Sequence, residues 1–433
     1  MSVAQLNTTS LNKLFLEFIK PGLEQEFYTN TTIYNRFKTN TEAVMGKYGV
    51  VKLLTAAAKS ARPSSSSTFP SAKQSTYDEF IMYLKRGMYA TLQFDGLAIA
   101  VGKGKGAVKD LVKSETESIM LYIPHKLNKQ FWGDGSGRLA QLSAGIAAAT
   151  TGYVDGPWHG QDSSGLTPFS RYLAEGMPVD IYTTGGVLEA EDVVISSIAE
   201  GSSYDTLTFA EAITASNNSY LFDHDTYALA EAGGTGVPMG LYGIINSANA
   251  TVGITATSYF QNINRSAYSW AQAQMFNMDP AAGSTKTPIT SKKLLECVQK
   301  IERYGTLSVI ITNDHIWRAY YALLEADKTM PNTPAYWGGV TGLTFYGGRN
   351  KAIPIIYDED CPDNRVYFID DKRIQIIAPT DGGMDWLPGD SGNILTRVQG
   401  KDEYAANLRW YYNMACTLPK ALGCLYNVKH LES

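Results

Sequence analysis

Phe131-Trp132-Gly133-Asp134-Gly135-Ser136-Gly137 closes the most regular helical pattern of the chain. Upstream of it, Val108, Leu111, Val112, Ile119, Met120, Ile123, Leu127 and Phe131 fall on one stripe, so the spacing predicts a helix over 107–132. At about 1.5 Å per residue such a helix would span roughly 40 Å. Pro124 lies inside the pattern, where the ring removes a backbone hydrogen bond and crowds the preceding turn. Two readings follow: one helix kinked at Pro124, or two helices with Ser114-x-x-Glu117 as a capping box. The stripe continues through Ile123, Leu127 and Phe131, which favours the single kinked helix. Three glycines in the next five residues stop it abruptly.

Toward the N-terminus, Phe80–Phe94 alternates apolar and polar with period two, a strand with a bulge expected at Arg86-Gly87. A second strand candidate is Val50–Leu54. Between the two lies the Ser-rich run Arg62-Pro63-Ser64-Ser65-Ser66-Ser67-Thr68, a polar loop tip that a core element would not carry. The pair therefore reads as an excursion away from the body. Further upstream, Leu11, Leu14, Phe15 and Phe18 form one helical face ended by Pro21-Gly22, and residues 23–50 read as an extended arm.

Downstream, residues 153–240 turn Gly-, Thr-, Ser- and Asp-rich. Short β-type runs recur there at Val179–Tyr182, Val193–Ile198, Thr206–Phe209 and Thr226–Leu229, which predicts a small all-β unit. α/β patterning follows. A helix opens at Thr287-Pro288 and carries Leu294, Leu295, Val298 and Ile301; Leu307–Thr312 is a buried strand; Asn313 or Asp314 caps a helix with Trp317, Tyr320, Tyr321 and Leu324. Ile353–Ile356, Val366–Ile369 and Ile374–Ala378 are strands, and Leu408–Leu425 is a last long β segment broken by Pro419.

Composition narrows the function classes. The chain has 433 residues, 37 basic against 42 acidic, and a charged fraction of 18%, below the roughly 25% of an average soluble protein. That balance excludes a histone-like nucleic-acid coat. Few charges and 27 tyrosines suit a surface largely covered by other copies of the chain, since interfaces deplete Lys, Glu and Asp and enrich Tyr. No run approaches 18 apolar residues, so no membrane span is expected, and the N-terminus has no signal-peptide pattern. Cys297, Cys361, Cys416 and Cys424 have no CxxC spacing and read as reduced thiols.

No chemistry assembles from the motifs. Gly389-Asp390-Ser391-Gly392 matches a serine-protease nucleophile motif, but His125, His159, His224, His315 and His430 offer no plausible base, leaving Ser391 in a turn. Gly102-Lys103-Gly104-Lys105-Gly106 fails phosphate-loop spacing. Asp358, Asp360 and Asp363 alternate as in calcium loops, yet the glycine and distal glutamate of such loops are missing, so a turn around Cys361-Pro362 is expected. No zinc motif is present, and no metal, cofactor or catalytic residue is expected. Lys105, Lys109 and Lys113 share one helical face; a solvated face is the ordinary reading and packed DNA the sharper one.

The order of these segments resembles the major capsid proteins of tailed bacteriophages, with the Hong Kong 97-type (Johnson) fold. The resemblance rests on the Phe131–Gly137 helix end, Gly240-Leu241-Tyr242-Gly243-Ile244-Ile245, the strand Ser308–Thr312, and Gly347-Gly348 leading into Pro354-Ile355-Ile356. It implies an α+β chain with an N-terminal arm (1–50), an E-loop (51–100) and a peripheral domain with a spine helix kinked at Pro124 (101–152). An inserted β-rich domain (153–240), an axial domain (241–362) and closing strands (363–433) would follow. Arg62, Phe69, Tyr77, Lys85 and Arg86 become candidate intersubunit contacts of the E-loop, and Lys105, Lys109 and Lys113 candidates for nearness to DNA on the inner wall. Some relatives cross-link a Lys to an Asn, for which Lys85 would be the candidate donor. The implied partners are further copies of the chain in hexamers and pentamers, a separate scaffolding protein, a portal, decoration proteins and packaged double-stranded DNA. The implied location is the virion shell, after assembly in the bacterial cytoplasm. An encapsulin-like nanocompartment shell and a serine hydrolase acting through Ser391 are the alternatives.

Overall fold

The computed structural model describes residues 33, 36–46, 48–56, 60–61, 63, 69, 71–96, 119, 122–157, 169–227, 237–247, 259–261, 263–281, 283, 285–326, 335–337, 340–349, 352–379, 384–387 and 396–429. Its central element is Glu403–Cys416, a strand whose alternate residues Ala406, Leu408, Trp410, Tyr412 and Met414 are buried. Period-two patterning dictates this, because successive side chains of a strand leave on opposite faces. Lys85–Asp95 runs antiparallel along it, from Asp95 opposite Glu403 to Lys85 opposite Tyr412. The pairing skips Gly87, so the expected bulge is present. There the ring of Tyr412 passes so close that a Cβ on Gly87 would overlap it. Thr396–Arg397 and Asp385–Trp386 also pair with the long strand. Ile374–Ile377 pairs with its end, and Lys38–Asn40 adds in parallel beyond that.

The expected single strand over 80–94 is two strands in two sheets. Thr76–Tyr83 pairs antiparallel with Tyr48–Ala56 to make a hairpin, and only Leu84 separates it from Lys85–Asp95. The hairpin root is held by Val51 and Met82 against Ile377 and Ala415, and by the tilted ring pair Tyr48–Tyr83 at 5.2 Å.

A second, seven-stranded sheet runs in the order Gln274–Asn277, Gly423–Tyr426, Arg365–Ile369, Val309–Thr312, Ala352–Tyr357, Val340–Tyr346, Ala335–Trp337. Its faces serve two cores. Ile310, Ile353, Ile355, Phe368 and Leu425 meet Leu294, Cys297, Val298 and Ile301 of the helix Ser291–Ile301, with Ile316 and Tyr320 of the helix Asp314–Ala326. Val309, Ile311, Tyr367, Ile369 and Cys424 point the other way, into the larger core with Phe131, Trp132, Leu92, Phe94 and Trp410. The first helix starts later than Thr287-Pro288 suggests: Thr290 caps it, accepting from the Lys293 amide at 3.3 Å. Asn313 caps the second by accepting from the His315 amide. The β segment expected over 408–425 is split between the two sheets, because Pro419 opens a 3-10 turn, Pro419–Ala421, that carries the chain from one to the other.

Between these parts in the chain sits a closed six-stranded barrel built from Arg138–Leu142, Ile146–Pro157, Pro178–Tyr182, Leu188–Ala199, Asp205–Ala215 and Tyr220–Asp223. Val154, Val179, Ile181, Ile195, Leu207, Phe209 and Leu221 fill it. The β unit thus opens at Arg138, not at 153. The run Ala147-Ala148-Ala149-Thr150-Thr151-Gly152 has too few large apolar residues to show alternation in the sequence. The last barrel strand is Tyr220–Asp223, earlier than the expected Thr226–Leu229.

The helix over 122–132 enters the barrel through Gly133–Arg138. Gly135 and Gly137 take φ of +85° and +82°, the left-handed region that glycine occupies without strain. Asp134 is buried, and its Oδ1 accepts from the amide and hydroxyl of Ser136 at 2.9 and 2.5 Å. Its Oδ2 accepts from Arg138 Nη2 at 2.8 Å. The amide of Gly240, where the chain returns from the barrel, donates to the Gly133 carbonyl at 3.1 Å. Pro124 is buried in the described helical stretch. Residues 107–118, 120 and 121 lie outside the described residues, and the kink expected at Pro124 turns on them.

Candidate assembly interface

The hairpin Tyr48–Ala56/Thr76–Tyr83 and the segments beside it present apolar side chains to solvent instead of to a core. Phe69 is 93% exposed, Tyr77 72%, Met45 64% and Ile81 47%. Scattered exposed apolar residues need no explanation, but several on one hairpin mark a contact surface. The root packs at home, through Val51 and Met82. Lys52 and Glu79 pair across the strands at 3.5 Å and are both exposed, so the pair contributes little.

The residues singled out in the sequence fall in different places. Phe69 and Tyr77 lie exposed on the excursion. Arg86 is exposed on the solvent face of the six-stranded sheet, opposite Tyr411. Lys85 is corrected as an intersubunit contact and as a cross-link donor: it is 1% exposed, and its ammonium donates to the Val237 carbonyl at 3.1 Å within the same chain. The bulge at Gly87 turns it inward. Arg62, Lys105, Lys109, Lys113 and Ser391 lie outside the described residues.

The acidic run Asp358–Asp363 is a buried lock. Cys361 N donates to the Asp358 carbonyl, so the expected turn is present. Asn128 Nδ2, from the helix over 122–132, donates to Asp358 Oδ1 at 3.0 Å and to Asp360 Oδ2 at 2.7 Å. Arg171 of the barrel segment donates to the Glu359 and Cys361 carbonyls and pairs with Asp363 at 3.4 Å. Tyr172 OH donates to the Asp360 carbonyl, and Asn313 to Asp363 at 3.0 Å. The carboxylates whose spacing suggests calcium are therefore taken by protein donors. Among the described residues no group of acidic, His or Cys side chains is arranged to hold a metal. The spacing Asp-x-Asp-x-x-Asp is visible in the sequence; Asn128 and Arg171, some 200 residues away, carry no signal there.

Burial, and then the neighbouring Asp360, push the Asp358 carboxyl up to about 6, against the Asp360 amide, Asn128 and the Trp132 indole, which lower it. The raised value means that the folded state binds the proton more tightly than the unfolded one. This stabilisation is present at low pH and fades as pH rises from about 4 through about 6. Lowering pH from 7 to 5 should therefore add about 1 kcal/mol at this site. Urea titrations at both pH values should show the gain in the wild-type protein and a smaller one in Asp358→Asn; an equal gain in both would place the effect elsewhere.

The remaining reactive groups are muted. All four cysteines are buried and free, and burial raises each thiol, Cys297 and Cys416 to about 12. His224 is raised by its 2.9 Å contact with Asp180, where it ties the strand Pro178–Tyr182 to the turn after Tyr220–Asp223. No helix among the described residues is long and apolar enough to cross a membrane.

An architecture of this kind has a solved counterpart. The capsid asymmetric unit of cyanophage A-1(L) matches with a TM-score of 0.51 at 12% identity, over 91% of this chain and 90% of that one. The chain has the Hong Kong 97-type capsid fold. Looser matches, each at 9% identity, are the empty gene-transfer-agent (GTA) capsid and the holo-SrpI encapsulin complex of Synechococcus elongatus. The first has a TM-score of 0.45 and covers 93% of this chain and 91% of that one; the second has 0.44 and covers 98% and 96%. No protein-family model and no curated protein matches the sequence.

Proposed function

We propose that the chain is the major capsid protein of a tailed bacteriophage and assembles into hexamers and pentamers of an icosahedral shell around double-stranded DNA. The observation that carries this reading is the exposed apolar hairpin on a capsid fold. A subunit acting alone gains nothing from holding Phe69, Tyr77 and Ile81 in water. A shell closes through many shallow contacts, each weak and together multivalent.

In this reading residues 1–50 are the arm and 51–100 the E-loop, which reaches over a neighbouring subunit. The helix over 122–132 ends the spine of the peripheral domain, the barrel is the inserted domain, and the seven-stranded sheet with its two helices forms the axial domain. Residues 363–433 close both sheets. The mild net charge of −5 keeps free subunits soluble without trapping DNA on the wall. A scaffolding protein, a portal and decoration proteins are the further partners, and the protein works in the virion after assembly in the host cytoplasm. The sequence offers Ser391 no histidine placed to act as its base, so a fluorophosphonate probe should leave the purified protein unlabelled. Sedimentation velocity, with and without a scaffolding protein, should show capsomers or shells. A strictly monomeric species at high concentration in both conditions would overturn the proposal.

A further inference from the structure

Charge is unevenly divided along this chain. From Arg138 to Asp223 the sequence holds eleven acidic residues, two arginines and no lysine. That segment carries −9 while the whole chain carries −5, which leaves +4 for the rest. Both arginines are engaged inward, Arg138 on Asp134 and Arg171 on the Asp358–Asp363 lock. The solvent side of the barrel therefore presents carboxylates with no lysine or arginine of its own beside them: Glu191, Asp192, Glu200 and Glu211 are exposed. Apolar residues lie among them, with Val187 64%, Leu188 42% and Val194 37% exposed, on and beside the strand Leu188–Ala199.

The hairpin tip has the opposite character. Residues 57–75 carry Lys59, Arg62 and Lys73 and no acidic residue, and they include Phe69. In one chain Phe69 is 93% exposed and Lys73 is exposed, so neither is covered by the barrel of its own chain. One surface offers carboxylates among exposed apolar side chains, and the other segment carries three basic residues, no acidic one and the exposed Phe69. Opposite potentials of this kind orient partners and suppress wrong pairings.

We propose that the barrel of one copy is the landing site for the hairpin tip of a second copy. Phe69 packs on Val194, midway along the strand Leu188–Ala199, and the basic residues of the tip face Glu191 and Glu200 on either side of it. This deepens the shell reading and rests on it: it assigns the inserted barrel a seat for the neighbour's loop. The contact is heterologous, so it propagates around a ring instead of closing a pair.

A charge swap in the full-length protein tests it. Arg62→Glu with Lys73→Glu should cut the yield of sedimenting assemblies about tenfold, and so should Glu191→Lys with Glu200→Lys, because weak pairs repeated over a shell multiply. Circular dichroism should show each variant folded. Combining all four substitutions should restore assembly, which a merely structural role for either surface would not produce. Raising salt should weaken wild-type assembly. If wild-type assemblies form and neither reversed variant is impaired, or if the combination fails to rescue, this contact is wrong while the shell reading stands. If the wild-type chain forms no assemblies, the shell reading falls and this contact falls with it.

Discussion

Deleting residues 63–75 is expected to leave the subunit folded and to abolish shell formation. The deleted stretch holds Phe69 and Lys73, which are exposed, and none of the described residues of the buried cores. The hairpin beneath it is held by its own strand ladder and by Val51, Met82, Ile377 and Ala415 at the root. Shortening the loop between Ala56 and Thr76 from nineteen residues to six lowers its closure cost by only about 1 kcal/mol, in the stabilising direction. Circular dichroism and the melting temperature of the subunit should therefore match wild type. Assembly should fail, because each lost contact recurs at every subunit of a closed shell. A deletion that unfolds the subunit would place these residues in a core. A deletion that leaves shells intact would remove the hairpin tip from the interface.

Gly240→Ala is expected to destabilise the subunit by about 3 kcal/mol or more. Gly240 returns the chain from the barrel and lies against the end of the helix over 122–132. A Cβ there would overlap the carbonyl of Phe131 and crowd that of Gln130. Both are backbone atoms, so no rotamer change relieves the overlap. Shifting either chain segment would disturb the 3.1 Å bond from Gly240 N to the Gly133 carbonyl and the packing of Phe131 and Trp132 in the main core. Chemical denaturation of the subunit should show the loss. A midpoint equal to wild type would mean that this junction is not tightly packed.

The elements that alternate or repeat regularly are legible in the sequence. The Ser308–Thr312 region, the strands around 353, 366 and 374, the bulge at Gly87 and the abrupt helix end at Gly133 all follow from side-chain period or from glycine placement. What is hidden is set by distant partners or by weak patterning. The barrel opens ahead of its sequence signal because Ile146–Pro157 is made largely of small residues, and the burial of Lys85 depends on the Val237 carbonyl, about 150 residues away. The Asp358–Asp363 run is plain, but its donors Asn128, Arg171 and Asn313 come from three other elements. Of the candidate interface, the Ser-rich tip is evident from composition; the exposure of Val187, Leu188 and Val194 on the barrel is not, because in the sequence apolar residues beside a strand pattern read as core.

The central claim, that this subunit builds a closed shell, is tested most directly by negative-stain electron microscopy of the purified protein, expressed alone and with a scaffolding protein. Closed icosahedral particles of uniform diameter are the predicted result. Fields containing only dispersed subunits at high protein concentration, under both conditions, would contradict it.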